Sequence, residues 1–261
     1  MSRVEIIAVG REILTGRTLD TNSNWLAKRI TFLGGDVKRM VAVDDEIPSI
    51  SREVKSALEN RSLLVVTTGG LGPTTDDKTL EAVAKAADLK MQLNPKALDF
   101  VKRRYAFFKE QGFVDSDELT PSREKMAILP QGSEILSNPV GAAPGAKLWV
   151  ESSLIASLPG VPKEMTAIFE EVLLKDLGEL FGWRFSRERT ITTHLGDESQ
   201  LGEILEKVMK EVPRVYLKSR PTRFGKDVRL AVTLTAAGDD ADEVEARIQE
   251  AVSEIEKRLP P

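Results

Sequence analysis

Apolar segments that alternate with amphipathic helical patterns restrict the fold of this chain more than any other feature of its sequence. The mainly apolar runs Val4–Val9 and Ser62–Val66 predict strands of the kind that a parallel sheet buries on both faces, and Val37–Val43 is predicted as a further strand between them. Apolar residues at helical spacing lie between these runs, namely Leu26, Ile30 and Leu33, and then Ile50, Val54 and Leu58. This order of elements predicts an α/β fold with a mainly parallel sheet and helices on both of its faces.

The rest of the chain adds a longer helical segment and a smaller second unit. Asp20–Asn22 is predicted to cap the first long helix, and Asn94 with Pro95 is typical of the N-cap and first turn of another. Beyond residue 180 the pattern is strand, helix, strand, strand, helix, with strands predicted at 189–193, 214–218 and 228–235. We therefore predict one domain over residues 1–180 and a small α+β (βαββα) domain over residues 181–261.

The segment between the third strand and the next helix, Thr67–Asp77, contains three glycines and ends in two carboxylates. A strand, a glycine-rich turn and a helix direct backbone N–H groups at an anion, and glycine lets a phosphate approach the backbone closely. Asp76 and Asp77, predicted just inside the helix, suit a divalent cation that accompanies the phosphate, since hard cations prefer oxygen ligands. The pattern favours a nucleotide-like polyphosphate, although it is neither a P-loop nor a dinucleotide fingerprint.

A purely structural interpretation of the same segment is the alternative. Gly69 and Gly70 would then form a tight turn, and Thr74 would cap the helix with Asp77 as the acid of a capping box. Both carboxylates would also suit the positive end of the helix dipole. This interpretation does not require three glycines, a proline and further hydroxyls in one turn, so we favour the functional one.

Further glycines and acids follow the other predicted strands. Ligands bind beyond the carboxyl ends of the strands in an open parallel sheet, so these loops are expected to converge. Gly10 and Glu12 follow the first strand, and Glu12 is either a contact for a hydroxyl or base or a solvated loop acid. Asp44 and Asp45 follow the second strand, and one of them is a candidate metal ligand or general base. Two later turns either offer backbone groups to a ligand or serve as bends, Asn138–Gly145 and Pro159–Pro162.

Composition limits the classes of protein and of chemistry. The chain has 261 residues, of which 41% are hydrophobic and 30% charged, as is typical of a globular protein. It contains no cysteine, which excludes thiolate catalysis, cysteine-ligated zinc and iron–sulfur clusters. Because no run has the length of a membrane helix and no signal peptide is evident, we expect a cytoplasmic location and no membrane partner. The net charge of −4 argues against non-specific coating of DNA.

A basic cluster is predicted on a hairpin of the second domain. A solvated basic tip is the favoured interpretation, and contact with nucleic acid is the alternative. The residues are Lys218, Arg220, Arg223 and Lys226.

The glycine-rich segment Thr68–Thr74, together with Asp76 and Asp77, resembles the MoaB/MogA molybdopterin-binding family, and more narrowly its CinA-like (competence/damage-inducible) amino-terminal branch. The small second domain is similar to the one that follows in CinA-like proteins. Taken as a set, the motifs are highly specific and cover most of the first domain. They include Gly10–Gly16, Asp20–Asn22, Val43–Asp45, Asn138–Gly141 and Leu158–Met165.

The resemblance implies a three-layer αβα fold with a ligand pocket at the loop edge of the sheet. MogA-like relatives adenylylate molybdopterin with ATP and magnesium. CinA-like relatives have been assigned metal-dependent hydrolysis of the pyrophosphate in ADP-ribose-type nucleotides. Relatives also self-associate, so a homo-oligomer, either a dimer or a trimer, is expected.

The candidate residues form three overlapping groups when the family roles are carried over. For catalysis they are Asp44, Asp45 and Asp77. For a divalent ion (Mg, Mn or Co) they are Asp45, Asp76 and Asp77. For the substrate they are Gly10, Glu12, Gly69, Gly70, Leu71, Gly72, Pro73, Thr74, Asn138, Gly141, Pro159 and Gly160.

Two features depart from the family pattern. The loop Gly70–Thr74 reads Gly-Leu-Gly-Pro-Thr, whereas Gly-Thr-Gly is typical of the adenylyltransferases, and this difference makes the pterin interpretation less favoured. The sequence does not include the carboxyl-terminal amidohydrolase domain of full-length bacterial CinA proteins, so we do not expect deamidation of nicotinamide nucleotides.

Three functions fit these residues. The favoured one is a metal-dependent nucleotide pyrophosphatase, in which a cation bridges phosphate oxygens while loop N–H groups stabilise the transition state. The second is a molybdopterin adenylyltransferase of molybdenum cofactor biosynthesis. The third is a non-catalytic module that binds a nucleotide or pterin and recruits a partner through the basic hairpin.

Overall fold

The computed structural model describes residues 2–182, 185–221 and 229–260. Contacts between residues divide the chain into two compact units, one of Met1–Ile30 with Gly35–Leu177 and one of Thr31–Gly34 with Gly178–Pro261. No helix in these described ranges combines the length and the apolar character that crossing a bilayer requires.

The first unit alternates strands and helices. Its strands are β1 (Arg3–Val9), β2 (Asp36–Val43), β3 (Leu64–Thr68), β4 (Met91–Leu93), β5 (Ile128–Pro130), β6 (Glu134–Leu136), β7 (Gly145–Val150) and β8 (Ser153–Leu158). Its helices are α1 (Arg11–Leu14), α2 (Thr21–Phe32), α3 (Ile47–Glu59), α4 (Thr79–Ala86), α5 (Pro95–Glu110), α6 (Pro121–Lys125) and α7 (Pro162–Ile168). A π-helical turn at Phe169–Leu173 leads from α7 into α8, Leu174–Phe181.

Six of these strands form one sheet in the order β2-β1-β3-β8-β7-β6. The first four in this order are parallel, and β7 and β6 run antiparallel to their neighbours, so the mainly parallel sheet is confirmed. The third strand was predicted at 62–66 but lies at Leu64–Thr68. It extends further because Thr67 and Thr68 still pair with β1 on one side and β8 on the other.

Helices cover both faces of the sheet, which confirms the three-layer αβα architecture. On one face, Ile50 of α3 and Val83 of α4 belong to a buried cluster with Ile7 of β1. Strand residues of opposite orientation, such as Ile6, are also fully buried. In the other helical layer Trp25 of α2 packs edge-on against Phe169, with ring centroids 5.2 Å apart.

The excursion between β3 and β8 contains both expected and unexpected features. Asn94 caps α5 as predicted, because its side-chain oxygen accepts hydrogen bonds from the N–H groups of Lys96 and Ala97. The turn Asn138–Gly145 joins the antiparallel strands β6 and β7. The short antiparallel pair of β4 and β5 was not predicted, since it joins two three-residue segments that lie far apart in the sequence.

The second unit has the predicted βαββα order. Its elements are β9 (Phe185–Thr193), α9 (Glu198–Glu211), β10 (Val215–Pro221), β11 (Leu230–Gly238) and α10 (Ala241–Arg258). The strands form an antiparallel sheet in the order β10-β11-β9, and its core includes Leu205, Val232 and Ile248. Residue 228, where the last strand was predicted to begin, lies outside the described residues.

Candidate functional site

The loops that follow β1, β2, β3 and β8 meet at one edge of the sheet. Their strands are parallel and end in register, with Val9 opposite Val43, and Thr68 opposite both Ala8 and Leu158. A cavity of about 420 Å³ lies at this edge. This volume is within the range of sites that bind small organic ligands and cofactors.

Most of the residues selected from the sequence line this cavity, but not all of them. The lining contains Gly10, Glu12, Asp45, Gly69, Gly70, Leu71, Gly72, Pro73, Asp76, Asp77, Pro159 and Gly160. It does not contain four of the selected residues, Asp44, Thr74, Asn138 and Gly141. The lining also contains Ala142, Ala143 and Val161, which belong to the two turns expected to offer backbone groups to a ligand. Sequence reasoning did not select the remaining lining residues, which are Val9, Tyr105, Met126 and Glu164.

Gly69 and Gly70 adopt backbone conformations that other residues rarely reach, with φ angles of 102° and 69°. A Cβ atom on Gly69 would lie 2.3 Å from the carbonyl oxygen of Val9, and one on Gly70 would lie 2.3 Å from Oγ1 of Thr79. The same Thr79 hydroxyl donates a hydrogen bond of 2.7 Å to the carbonyl oxygen of Gly69. Contacts inside the protein therefore require these glycines, a reason distinct from the close approach of a phosphate.

The turn also presents backbone donors that the protein itself does not use. The N–H group of Gly69 donates to the carbonyl oxygen of Leu158 at 3.0 Å and so extends the pairing with β8. The next three N–H groups, those of Gly70, Leu71 and Gly72, have no acceptor in residues 2–182, 185–221 and 229–260. Consecutive donors of this kind at the wall of a cavity are suited to an anion.

Asn22 ties the glycine-rich turn to the loop after β8. Its Nδ2 atom donates to Oγ1 of Thr68 at 3.0 Å and to the carbonyl oxygen of Gly160 at 2.8 Å. Thr68 Oγ1 in turn donates to the carbonyl oxygen of Pro159 at 3.1 Å. The segment Asp20–Asn22 was predicted only as a helix cap. Asp20 has that role, because its carboxylate accepts a backbone N–H of α2, whereas Asn22 fixes the cavity wall.

The structure separates the two aspartates that follow β2. Asp45 lines the cavity, whereas Asp44 accepts hydrogen bonds from the side chain of Arg11 at 3.3 Å and from the backbone N–H of Asp45 at 3.1 Å. Burial raises the pKa of Asp45, and the neighbouring carboxylates of Asp44 and Asp76 raise it further. Asp45 is therefore the acid of this pair that is available to a ligand in the cavity.

The two aspartates of the glycine-rich segment precede helix α4 rather than lying inside it, because the helix begins only at Thr79. Thr74 is consequently not the N-cap, and both of these expectations were wrong. The bond between Thr74 and Asp77 nevertheless exists, since Oδ2 of Asp77 accepts the Thr74 N–H at 2.9 Å and its hydroxyl at 2.5 Å. A Cβ atom on Gly72 would lie 2.7 Å from the same Oδ2 atom. Asp77 thus closes the turn with one of its oxygens.

Asp76 is exposed, and basic residues surround it. The Thr74 hydroxyl, which lies beside both carboxylates, lowers the pKa of Asp76, and the charges of Lys125 and Lys78 lower it further. Lys125 also donates through Nζ to the carbonyl oxygens of Thr74 and Asp77, the latter at 2.7 Å. Asp76 therefore brings an ionised carboxylate to the rim of the cavity.

The described carboxylates at the cavity are too few to coordinate a divalent ion without a ligand, but they suit one that is also coordinated by a phosphate. In the described part of the chain, no group of three or more His, Cys, Asp or Glu residues could hold a metal ion. Magnesium does not need such a cage, because one or two carboxylates, water and substrate phosphates commonly complete its coordination. Asp45, Asp76 and Asp77 offer carboxylate oxygens only, which are the ligands that hard cations prefer.

Asn138 and Gly141 support the cavity from outside its lining. Asn138 Nδ2 donates to Oε2 of Glu164 at 2.7 Å and to the carbonyl oxygen of Ala143 at 2.8 Å. Its Oδ1 accepts the N–H groups of Val140 and Gly141. A Cβ atom on Gly141 would lie 2.3 Å from the Glu164 carboxyl group. Asn138 therefore folds its own turn and positions Glu164, which does line the cavity.

Comparison with known proteins identifies the family of the first unit. A family profile described as "Probable molybdopterin binding domain" matches residues 5–179. The chain belongs to this family. It is 42% identical over 257 residues to a protein of Aeropyrum pernix, covering 98% of this chain and 92% of that one. It is 39% identical over 228 residues to a protein of Pyrococcus horikoshii, covering 87% and 88%.

A solved structure narrows the relationship within the molybdopterin-binding family. The chain is similar to the protein CinA of unknown function from Thermoplasma acidophilum, with a TM-score of 0.61 and 39% sequence identity. The similarity covers 67% of this chain and 98% of that one. The resemblance to the CinA-like branch is therefore confirmed.

A second cavity of about 320 Å³ adjoins the first in this molybdopterin-binding domain. Both cavities are lined by Gly70, Leu71, Gly72, Asp77 and Met126, so the glycine-rich turn forms a wall common to the two. The rest of the second lining consists of Leu80, Glu81, Met91, Lys125 and Ile128.

Tyr105 and Met126 are the lining residues that sequence patterns were least able to reveal. Tyr105 occurs in an apolar stripe at helical spacing that correctly predicts α5, and nothing in that stripe distinguishes it from a core residue. In the folded domain Tyr105, Ala142 and Ala143 pack against the buried cluster of Phe100, Val101 and Met126. Their position at the cavity depends on how the excursion between β3 and β8 folds back, which is a long-range effect.

The basic cluster of the second unit is described only in part. Lys218 and Arg220 are exposed on β10, while Arg223 and Lys226 lie outside the described residues. Contact of this cluster with nucleic acid or a partner stays a prediction.

Proposed function

We propose that this protein is a metal-dependent nucleotide pyrophosphatase that hydrolyses the diphosphate of an ADP-ribose-like nucleotide. The observation that carries the proposal is one cavity where the N–H groups of Gly70–Gly72, which have no acceptor among the described residues, meet the carboxylates of Asp45, Asp76 and Asp77. Donors of this kind suit a phosphate, and the carboxylates suit a cation and a water molecule. The solved CinA protein that this chain resembles is of unknown function, so the proposal rests on the site and on the hydrolysis assigned to other CinA-like relatives.

The glycine-rich turn would bind the diphosphate. Its donors are held in place before any ligand binds, because two hydrogen bonds from Thr79 fix the turn. The Thr79 hydroxyl donates to the carbonyl oxygen of Gly69 at 2.7 Å, and its backbone N–H donates to that of Gly70 at 3.1 Å. Such preorganised dipoles stabilise charge that develops on phosphate oxygens without reorganising during the reaction. The buried side chain of Leu71 anchors the middle of the turn.

A divalent ion would be held by Asp76 and Asp77 together with phosphate oxygens of the substrate, which leaves Asp45 to act on the attacking water. When bound, such an ion offsets the charge of the phosphate and lowers the pKa of a water molecule. Mg, Mn and Co are the candidates.

Asp45 is the candidate general base, because a raised pKa makes its carboxylate a better proton acceptor than its neighbours. In the proposed step the oxygen of a water molecule bonds to one phosphorus, and the bond from that phosphorus to the bridging oxygen breaks. Asp45 accepts the proton of the water. ADP-ribose would thereby yield AMP and ribose 5-phosphate.

The test offers ADP-ribose, NAD, FAD and ATP to the purified full-length protein with each cation and identifies the products by mass spectrometry. We expect AMP from ADP-ribose only when cation is present. Asp45→Asn should lower this rate by at least about 100-fold, since general-base catalysis contributes about that much. Asp115→Asn, which changes an exposed loop acid, is the matched control and should have no effect. No product and no heat of binding with any adenylate at saturating cation would refute the proposal.

Adenylyl transfer to molybdopterin is the second candidate, and the description of the matching family names molybdopterin as a ligand. Consumption of ATP only in the presence of molybdopterin would identify this activity. Tight binding without any product would instead identify a non-catalytic binding module. A cytoplasmic location and a dimeric or trimeric state remain proposals, the latter to be measured by light scattering.

A further inference from the structure

The cavity has an apolar wall that the hydrolysis of a diphosphate does not use. Tyr105, Met126, Ala142 and Ala143 all line the cavity. Met126 belongs to a buried cluster with Phe100 and Val101, and the other three residues pack against that cluster. One part of the cavity thus offers N–H donors and carboxylates, and another part offers apolar and aromatic surface.

The Tyr105 ring is held rigidly at this wall. The guanidinium carbon of Arg123 lies 3.7 Å from the centroid of the ring and therefore covers one of its faces. Arg123 is anchored in turn, because its Nη1 atom donates to the carbonyl oxygens of Ser116 and Glu118, each at 2.7 Å. The ring of Phe108 meets Tyr105 at an interplanar angle of 77°. Arg123 does not line the cavity, so the part of Tyr105 that does is not the ring face that Arg123 covers.

We propose that Tyr105 is a stacking platform that selects ligands carrying a planar heteroaromatic ring, such as the base of a nucleotide. This inference rests on the proposed function, since it takes the diphosphate to be bound at the glycine-rich turn. A rigid aromatic ring stacks on a base whatever the base's hydrogen-bonding pattern, because every base has a π face. A cation on the far side of the Tyr105 ring keeps that ring in place without occupying the cavity.

Stacking depends on the aromatic ring of Tyr105 and not on its hydroxyl group. The hydroxyl group has no hydrogen-bond partner within the described ranges of the chain, so removing it breaks no contact in the protein. Tyr105→Phe should therefore keep the stacking surface, and Tyr105→Leu should keep an apolar side chain while removing the π face. These two variants separate stacking from the filling of space.

The experiment measures binding by calorimetry, in the full-length protein with magnesium, of two probes that resist hydrolysis. One is α,β-methylene-ADP, and the other is methylenediphosphonate, which has the same phosphorus chemistry but no ring. We expect Tyr105→Ala and Tyr105→Leu to weaken the first probe by about 10- to 100-fold, in line with the contribution of base stacking. Binding of the second probe should change by less than about twofold, and Tyr105→Phe should bind both probes as the unaltered chain does.

Phe113→Ala provides the control for the loss of an aromatic ring, because Phe113 is 71% exposed and does not line the cavity. Equal weakening of both probes by Tyr105→Leu would overturn the inference, since the wall would then serve only to shape the cavity. Unchanged binding of both probes would overturn it too. Failure of the unaltered chain to bind either probe would refute the proposed function and the inference together. Tyr105-dependent binding of the nucleotide without hydrolysis of ADP-ribose would support the inference and refute only the catalytic part of the function.

Discussion

Replacing Gly69 by alanine should destabilise the first unit far more than the same replacement at Gly16, another glycine of positive φ. The turn after β3 brings Gly69 so close to the end of β1 that an added Cβ atom would lie 2.3 Å from the carbonyl oxygen of Val9. Gly16 is the matched control, because its φ is 71° and a Cβ atom there would have no neighbour within 4 Å. The pair thus separates backbone strain from steric overlap.

The size of the effect follows from two contributions. A left-handed backbone costs an alanine about 1 to 2 kcal/mol relative to glycine, and this cost applies at both positions. Only Gly69→Ala must also move a backbone carbonyl by roughly 1 Å, at the end of a strand that is paired on both sides. Overpacking of this kind costs about 1 to 3 kcal/mol. We therefore expect a loss of about 2 to 5 kcal/mol for Gly69→Ala and of about 1 to 2 kcal/mol for Gly16→Ala.

Thermal melting of the full-length variants, followed by circular dichroism, measures this difference. For a protein of this size 1 kcal/mol corresponds to about 2 to 4 °C in Tm, so Gly69→Ala should melt roughly 4 to 20 °C below the unaltered chain. Gly16→Ala should melt only about 2 to 8 °C below it. Equal Tm values for the two variants would show that the Val9 carbonyl yields without cost, and the steric argument for the glycine-rich turn would then be wrong.

Two further predictions concern stability. Asn22→Ala removes two hydrogen bonds inside the cavity wall and should lower the free energy of unfolding by about 1 to 3 kcal/mol in urea titrations. The control Asn24→Ala, at an exposed position of the same helix, should change it by less than about 0.5 kcal/mol. Similar values for both variants would show that the wall does not depend on Asn22. Burial acts to raise the pKa of Glu5. Hydrogen bonds from Arg3, Ser62 and Asn60 outweigh this effect and bring the pKa below its ordinary value of 4.5. Because the folded-state pKa is lowered, the ionised Glu5 stabilises the protein above pH 4.5, and this effect is lost as the pH falls through the folded-state value. Glu5→Gln should therefore lower the free energy of unfolding by about 1 to 3 kcal/mol at neutral pH and by progressively less in acid. A difference in unfolding free energy that stays constant with pH would contradict this prediction.

The parallel core and the edge that carries the cavity could be predicted because both depend on local patterns and a simple rule of topology. The run Val4–Val9 is apolar apart from Glu5, and all of its residues are buried in β1. Once the parallel strands are placed, their carboxyl ends must share an edge, and Gly10, Asp45 and Gly160 do line one cavity. None of these positions requires knowledge of how distant segments pack.

The features that could not be predicted depend on contacts between segments far apart in the sequence. Tyr105 reaches the cavity only because α5 and α6 fold back beside the turn that contains Ala142. Asn22 reads as part of a helix cap, and its bonds to Thr68 and Gly160 exist only after three loops have met. Local propensity carries no information about either arrangement.

The structural and functional interpretations of the glycine-rich turn are not alternatives. The carbonyl oxygens of Gly69 and Gly70 are both bonded to Thr79, and Asp77 accepts from Thr74, so the turn is closed by its own acceptors. Its donors at Gly70 and the following two residues are the groups left without partners in the described chain. A turn that satisfied its donors and left its carbonyl oxygens free would be equally tight but would repel an anion. The polarity of what remains unpaired, rather than the presence of glycine, is therefore what makes this turn suited to phosphate.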